Sequence, residues 1–241
     1  MENTLLHPPI EWKAYDGQQL EITEHSHVFK IQIDNFYESI EKKKCLSDEE
    51  YQKAQRFVRS IDKENYIVRK YILRLILSIF LKIPASEITY SYTGKRKPEV
   101  SGIHFNVSHT RNYAILALSD YPIGIDIELI NTVFDFATLL DLCFRPKEVK
   151  FIHDSQNPVI NFFTLWTRKE AYLKAIGTGL TEDLINVPAL PDDYKNGQVL
   201  FDVSSFKIEE QYLASLAIPK NASRPPKYWN VTPDILFYSG F

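Results

Sequence analysis

Two long stretches with helical periodicity, one in each half of the chain, limit what it can fold into. In "YIVRKYILRLILSIFLKI" the apolar positions Ile67, Tyr71, Leu75, Ile76 and Phe80 recur at helical spacing, which predicts a helix from about Lys63 to Leu81. Arg69, Lys70, Arg74 and Lys82 interrupt it, so the stretch reads as an amphipathic helix and not as a membrane span. The second stretch, "VINFFTLWTRKEAYLKAIG", has the same period and ends on Gly177, where a C-cap belongs. Each helix needs an apolar surface to lie on. Short β-rich runs supply it: "HVFKIQID" before the first helix, "IHFNVSH", "YAILALS" and "IGIDIEL" between the two, and "GQVLFDVSSFKIEE", "YLASLAI" and "DILFYSGF" after the second. The expected fold is α+β, two similar halves, each with a long helix packed on a small antiparallel sheet.

The three runs between the helices read as an antiparallel meander, and the turn "SDYP" (119–122) divides the chain into an N-terminal half, 1–120, and a C-terminal half, 121–241. "LSDEEYQKAQRFV" opens with Ser47 as N-cap and Glu50 three residues on, a capping box at the start of a further helix. Residues 219–234, rich in proline and polar residues, read as a surface loop. At 241 residues and 44% hydrophobic the chain can bury a substantial core. A net charge of −3 argues against a generic nucleic-acid binder. Cys45 and Cys143 are too far apart in sequence to suggest a disulfide framework or a zinc site. The first residues lack a basic segment followed by an apolar core, so no signal peptide is expected, and the reading is a soluble cytoplasmic protein without a membrane segment.

Within "IGIDIE" two anions interrupt an apolar strand. Side chains alternate along a strand, so Asp126 and Glu128 share one face while Ile125, Ile127 and Leu129 point into the core. Two carboxylates so close repel unless a cation or a shared proton lies between them. Oxygen donors without His or Cys suit Mg²⁺ or Mn²⁺. A strand with a solvated acidic face would look the same. On the second long helix Glu170 and Lys174, four apart, lie on one face, either as a surface ion pair or as a metal ligand beside a phosphate partner. Ser108 and His109 end a strand beside a turn, where a hydroxyl and an imidazole can meet a phosphate. Lys95, Arg96 and Lys97 crowd a turn held by Pro98.

The order of these features resembles the 4′-phosphopantetheinyl transferases. Basic turn, Lys-Pro, Phe-Asn-x-Ser-His, Gly-Ile-Asp-x-Glu and Trp-x-x-Lys-Glu-x-x-x-Lys follow one another over roughly residues 45 to 185. The match is to the surfactin-type branch, with both halves in one chain. The resemblance implies an enzyme that moves the phosphopantetheine arm of coenzyme A onto a serine of an apo carrier protein of acyl, polyketide or peptidyl type. Adenosine 3′,5′-bisphosphate would leave, and the reaction would depend on Mg²⁺ or Mn²⁺. Carried over by motif, Asp126, Glu128 and Glu170 would be the metal ligands. Lys174 would meet the pyrophosphate, Ser108 and His109 a phosphate, and Lys97 with Pro98 would line the nucleotide pocket. Lys53 and Arg56 would lie near the 3′-phosphate. Where family members carry an arginine shortly before the long helix, this chain reads "KENY", which would move that contact to Lys63 or Arg69. Either Glu170 or Glu148 would take the proton of the carrier serine, and Trp166 would pack. Coenzyme A is expected in the cleft between the halves of a monomer. Another Mg²⁺-dependent phosphotransferase, or a coenzyme A-binding module without turnover, would use many of the same residues.

Overall fold

Residues 5–38, 45–92, 97–179, 184–195, 200–222 and 224–237 are described by a computed structural model. The chain opens with strands β1 (Lys13–Tyr15) and β2 (His27–Gln32), then helices α1 (Asp48–Ala54) and α2 (Ser60–Leu81). A short hairpin, β3 (Ser91–Tyr92) and β4 (Pro98–Glu99), precedes β5 (His104–Thr110), β6 (Tyr113–Ser119) and β7 (Gly124–Leu129). Helices α3 (Ala137–Cys143), α4 (Pro146–His153), α5 (Pro158–Ile176) and α6 (Pro191–Tyr194) follow. Strands β8 (Phe201–Glu209), β9 (Tyr212–Pro219) and β10 (Lys227–Val231) complete the order.

The two larger sheets run β1-β10-β2-β6-β5 and β7-β9-β8. On one face of the first sheet, Phe29, Ile31, Leu116 and Leu118 pack against Ile72, Ile76 and Leu77 of α2. From its other face Val28, Ile115 and Ala117 meet Ile125, Ile127, Phe206 and Leu216 of the second sheet. Beyond that sheet lies α5, with Ala171 and Ala175 against Val203 and Ala217. The layers are therefore helix, sheet, sheet, helix. The expected α+β architecture, with one long helix on each sheet, is present. Strand β6 is buried on both faces, which is why "YAILALS" is apolar throughout and does not alternate.

Local signals account for the helix ends. Ser47 Oγ accepts from the Glu50 amide (3.2 Å) while Glu50 Oε2 accepts from the Ser47 amide (3.1 Å), closing the capping box of α1. Glu50 Oε2 also meets Arg74 Nε at 2.6 Å, tying α1 to α2. Helix α5 starts at Pro158, where a missing N–H costs nothing. It stops at Gly177, whose φ of 77° favours glycine.

Three expectations are corrected. Strand β7 leaves the supposed meander: β5 and β6 pair with each other, but β7 pairs antiparallel with β9. The region read as a surface loop contains β10, which pairs parallel to both β1 and β2, so the first sheet is mixed. Trp229 on β10 is buried, and its indole N–H donates to His27 Nδ1 at 3.0 Å. Flanking prolines hid a five-residue strand whose partners lie at the other end of the chain. "DILFYSGF" is a 3₁₀ turn over Pro233–Phe237, and its remaining residues, like Gly94, Lys95 and Arg96, lie outside the described residues. The N-terminal segment also crosses over, with Leu6 bridging Ser205 on β8. Among the described residues no helix is long and apolar enough to cross a membrane.

Candidate active site

The edge strand of each sheet meets at one seam. Strand β5 borders the first sheet and β7 the second. Ser108 on β5 is buried and donates to Asp126 Oδ1 on β7 at 2.7 Å. Lys174, from the last turn of α5, reaches the same oxygen at 2.6 Å and Ser108 Oγ at 3.0 Å. Lys97 crosses from the first half to donate to the Lys174 carbonyl at 2.7 Å. Residues from β5, β7 and α5, and Lys97 just before β4, thus converge by hydrogen bonds.

Gly124 makes the convergence possible. A Cβ at this position would lie 2.0 Å from the Ala171 carbonyl oxygen and 2.4 Å from the Ala175 nitrogen. Only a residue without a side chain lets the α5 backbone approach β7 so closely. That approach brings Glu170 and Lys174, one helical turn apart, alongside Asp126 and Glu128. The strand alternation read from "IGIDIE" holds: Ile125 and Ile127 enter the core between the sheets. Asp126 is in register with Ser215, which is hydrogen-bonded to Thr167 of α5 at 2.8 Å.

The acids here are short of partners. Asp126 Oδ2 and Glu170 Oε1 are buried without a hydrogen bond. Burial, then the neighbouring charge of Asp126, pushes the pKa of Glu128 up to about 7, and the same two causes push Glu170 to about 7, while Lys174 offsets part of both. The three carboxylates feel one another but are not drawn into one ligating group. Among the described residues no three His, Cys, Asp or Glu side chains are gathered to hold a metal ion.

Further basic residues and a histidine lie on the first half. His109 follows Ser108 on β5; the surrounding protein, then the charges of Arg69 and Lys174, holds its pKa at about 4, so the ring is neutral at pH 7. Arg69 of α2 donates from Nε to the Asn65 carbonyl, and burial lowers its pKa to about 10, leaving it charged. Further along α2 the Tyr66 ring has the Lys53 ammonium 5.6 Å from its centroid and that of Lys70 at 6.0 Å. Arg56 is exposed just past α1. Lys63 is committed to Gln55, at 2.6 Å. A cavity of about 370 Å³, lined by Lys97, Pro98, Val100, Ile103 and Phe105 among others, opens beside β5.

Glu148 is not brought to this cluster. It is fully buried on α4, with Oε1 held by Arg145 Nη2 (2.6 Å) and Oε2 by the Arg145 amide (2.8 Å) and Lys169 Nζ (2.9 Å). Trp166 packs on Phe162 at 6.1 Å between centroids. Two residues contribute to this geometry without carrying a functional group that marks them in the sequence: Gly124 and Asn106. For Gly124 the available signal was a glycine inside a strand, which marks close backbone approach.

Comparison with known proteins covers the stretches of chain that carry these residues. A model described as the 4′-phosphopantetheinyl transferase N-terminal domain matches residues 37–120, and the model of the 4′-phosphopantetheinyl transferase superfamily matches 122–220. The chain is 28% identical to the 4′-phosphopantetheinyl transferase HetI of Nostoc sp. over 223 residues, 87% of this chain and 93% of the relative. It is 36% identical to the 4′-phosphopantetheinyl transferase gsp of Aneurinibacillus migulanus over 140 residues, 54% and 56% of the two chains. With the 4′-phosphopantetheinyl transferase Sfp of Bacillus subtilis it shares 29% over 147 residues, 56% of this chain and 62% of the relative.

Proposed function

Because the chain belongs to the 4′-phosphopantetheinyl transferase superfamily, we propose that it transfers the phosphopantetheine arm of coenzyme A to a serine of an apo carrier protein and releases adenosine 3′,5′-bisphosphate. The observation that carries this reading is the cluster across the seam, where Ser108, Asp126 and Lys174 are mutually hydrogen-bonded beside two orphaned carboxylate oxygens.

Asp126 and Glu170, each with a buried, unpartnered oxygen, and Glu128 beside them are the oxygen donors that would have to draw together to hold Mg²⁺ or Mn²⁺, whose preference is for oxygen ligands. Such an ion would supply charge neutralisation on the pyrophosphate and would polarise the attacked phosphorus. The chain's own groups do the rest. Lys174 exchanges Asp126 for the pyrophosphate, and neutral His109 with Ser108 donates to a phosphate oxygen. Lys97 and Pro98 hold the nucleotide at the edge of the cavity, and Lys53, Arg56 and Arg69 attract the 3′-phosphate.

Of the two bases that the family resemblance allows, we favour Glu170. Glu170 lies beside Asp126 and Lys174 with an unpartnered oxygen at the seam, where a base in reach of the carrier serine would be worth roughly 10²–10⁴-fold. Both oxygens of Glu148 are already occupied by cations and an amide. The site draws on both halves of one chain, so the working unit is a monomer divided near residue 120, with β10 and the N-terminal segment exchanged across that division. It acts in the cytoplasm on acyl, polyketide or peptidyl carriers.

Intact-mass spectrometry of an apo carrier protein incubated with the protein, coenzyme A and Mg²⁺ tests the reading. A gain of one phosphopantetheine arm, abolished by EDTA, is expected. No gain on several unrelated carriers would refute it.

A further inference from the structure

Strands β5 and β7 belong to different sheets, yet one main-chain hydrogen bond from β7 ends on β5. The Ile125 amide donates to the side-chain Oδ1 of Asn106 at 2.8 Å, in a buried setting. Asn106 stands where a further strand's carbonyl would stand, and so extends the β7 edge by a single bond. Its position matters. Asn106 and Ser108 are two apart on β5 and share a face, as Asn106↔Ala117 and Ser108↔Ile115 show in the register with β6. Ile125 directly precedes Asp126. The Asn106–Ile125 bond therefore lies one pleat from the Ser108–Asp126 bond and joins the same two strands. A slide of one strand past the other would break both.

We propose that Asn106 is a positioning residue for the transfer reaction. It latches β5 to β7 at one relative height, which aims Ser108 and His109 from the first half at Asp126, Glu128 and Lys174 from the second. This rests on the transferase reading above. Beyond the Ser108–Asp126 bond and the Lys30–Glu209 ion pair between β2 and β8, much of the contact between the sheets is non-directional apolar packing, Val28 and Ile115 against Ile125 and Ile127, which tolerates small shifts. A buried hydrogen bond does not tolerate them, because an orphaned amide carries the full desolvation cost. An isosteric apolar side chain at 106 would fill the same space without fixing the height.

The test uses full-length protein carrying Asn106→Ala, Ser108→Ala or both. Amide hydrogen exchange is measured first, because it does not need the reaction. Exchange at Ile125 is expected to speed up at least about tenfold in Asn106→Ala, while Leu216 in β9 keeps its rate. Unchanged exchange at Ile125 would overturn the latch. Transfer kinetics follow. Asn106→Ala is expected to lower kcat at least about tenfold through misplacement, with KM for coenzyme A changed less. The double variant should be no worse than the poorer single variant, because Ser108 acts only when it is aimed. Multiplying single effects, or a change confined to KM, would reduce Asn106 to ordinary packing and overturn the proposal. Wild-type protein that transfers nothing to any carrier would remove the transferase reading itself, and that result is seen before the variants are compared.

Discussion

The second half of the molecule holds two clusters of buried acids, and they are built in opposite ways. Around α4 and α6, Glu148 and Asp193 face three cations, Arg145, Lys147 and Lys169. Asp193 also accepts from the Ala189 and Leu190 amides, at 3.1 and 3.0 Å. Burial alone would raise its pKa, but hydrogen bonds from Lys147, those two amides and Arg145 hold it at about 2. At the seam, among the described residues, Lys174 pairs with Asp126 and is the cation felt by Glu128 and Glu170, which are pushed up to about 7. Each cluster mixes a buried acid, Glu148 or Asp126, with half-buried ones; what separates them is their partners. Acids that hold a fold are given cations by the fold itself, whereas acids kept short of them are held ready for a cation or a proton from outside.

The comparison breaks most visibly at Glu148. Glu148→Ala leaves Lys169, which is 1% exposed, without its carboxylate, and should cost about 3–5 kcal/mol of stability in chemical denaturation. The fraction that stays folded should keep its requirement for Mg²⁺. Loss of metal dependence in that variant would mean the roles of the two clusters have been exchanged. Asp126→Ala is the converse. Turnover should drop by more than the roughly 100-fold seen when even an outer-shell metal partner is lost, in a protein that still melts cooperatively. Full, metal-dependent activity would contradict the assignment.

Gly124→Ala sharpens the geometric side of the comparison. The added methyl must push α5 off β7, which overpacking data put at about 1–3 kcal/mol. Because Glu170 and Lys174 ride on α5, kcat should fall further than the loss of folded protein explains. A variant with normal kcat per folded molecule would show that the spacing is not critical.

The gentlest test is the pH dependence of stability with EDTA present. Asp193 stays ionised in the folded protein down to about 2, against an ordinary 3.8, so its contribution is complete above pH 4 and fades as acid is added toward 2. Glu128 and Glu170 do the reverse. Between 4.5 and about 7 the folded protein holds protons that the unfolded chain has released, so stability should decline as the pH rises through that window and level off beyond it. Added Mg²⁺ should oppose the decline, increasingly so toward pH 7. A flat profile over that window would remove the claim that the seam acids are underpaired.

The sequence makes one of these clusters readable and hides the other. Spacing alone puts Asp126 and Glu128 on one face and Glu170 with Lys174 on another, because those relations are local and follow from the periods of strand and helix. The capping box at Ser47, the C-cap at Gly177 and both long helices were legible for the same reason. Partners far along the chain were not. Arg145, three residues before Glu148, is visible in "FRPKEVKF", but Lys169 lies 21 residues beyond it, so that stretch does not show that both oxygens of its glutamate are taken. Likewise β9 lies far beyond β7, and β10 finds its neighbours at the opposite terminus. Pairing over such distances is decided by the assembled sheets, and short runs flanked by proline read as loop.

The central claim is that the seam cluster is the cation site and the Glu148 cluster is not. Titrating Mn²⁺ into the protein, followed by electron paramagnetic resonance, tests it most directly. The account predicts one bound ion per chain in the wild type, displaced by Mg²⁺ and lost in Asp126→Asn. Binding that survives Asp126→Asn unchanged would contradict it.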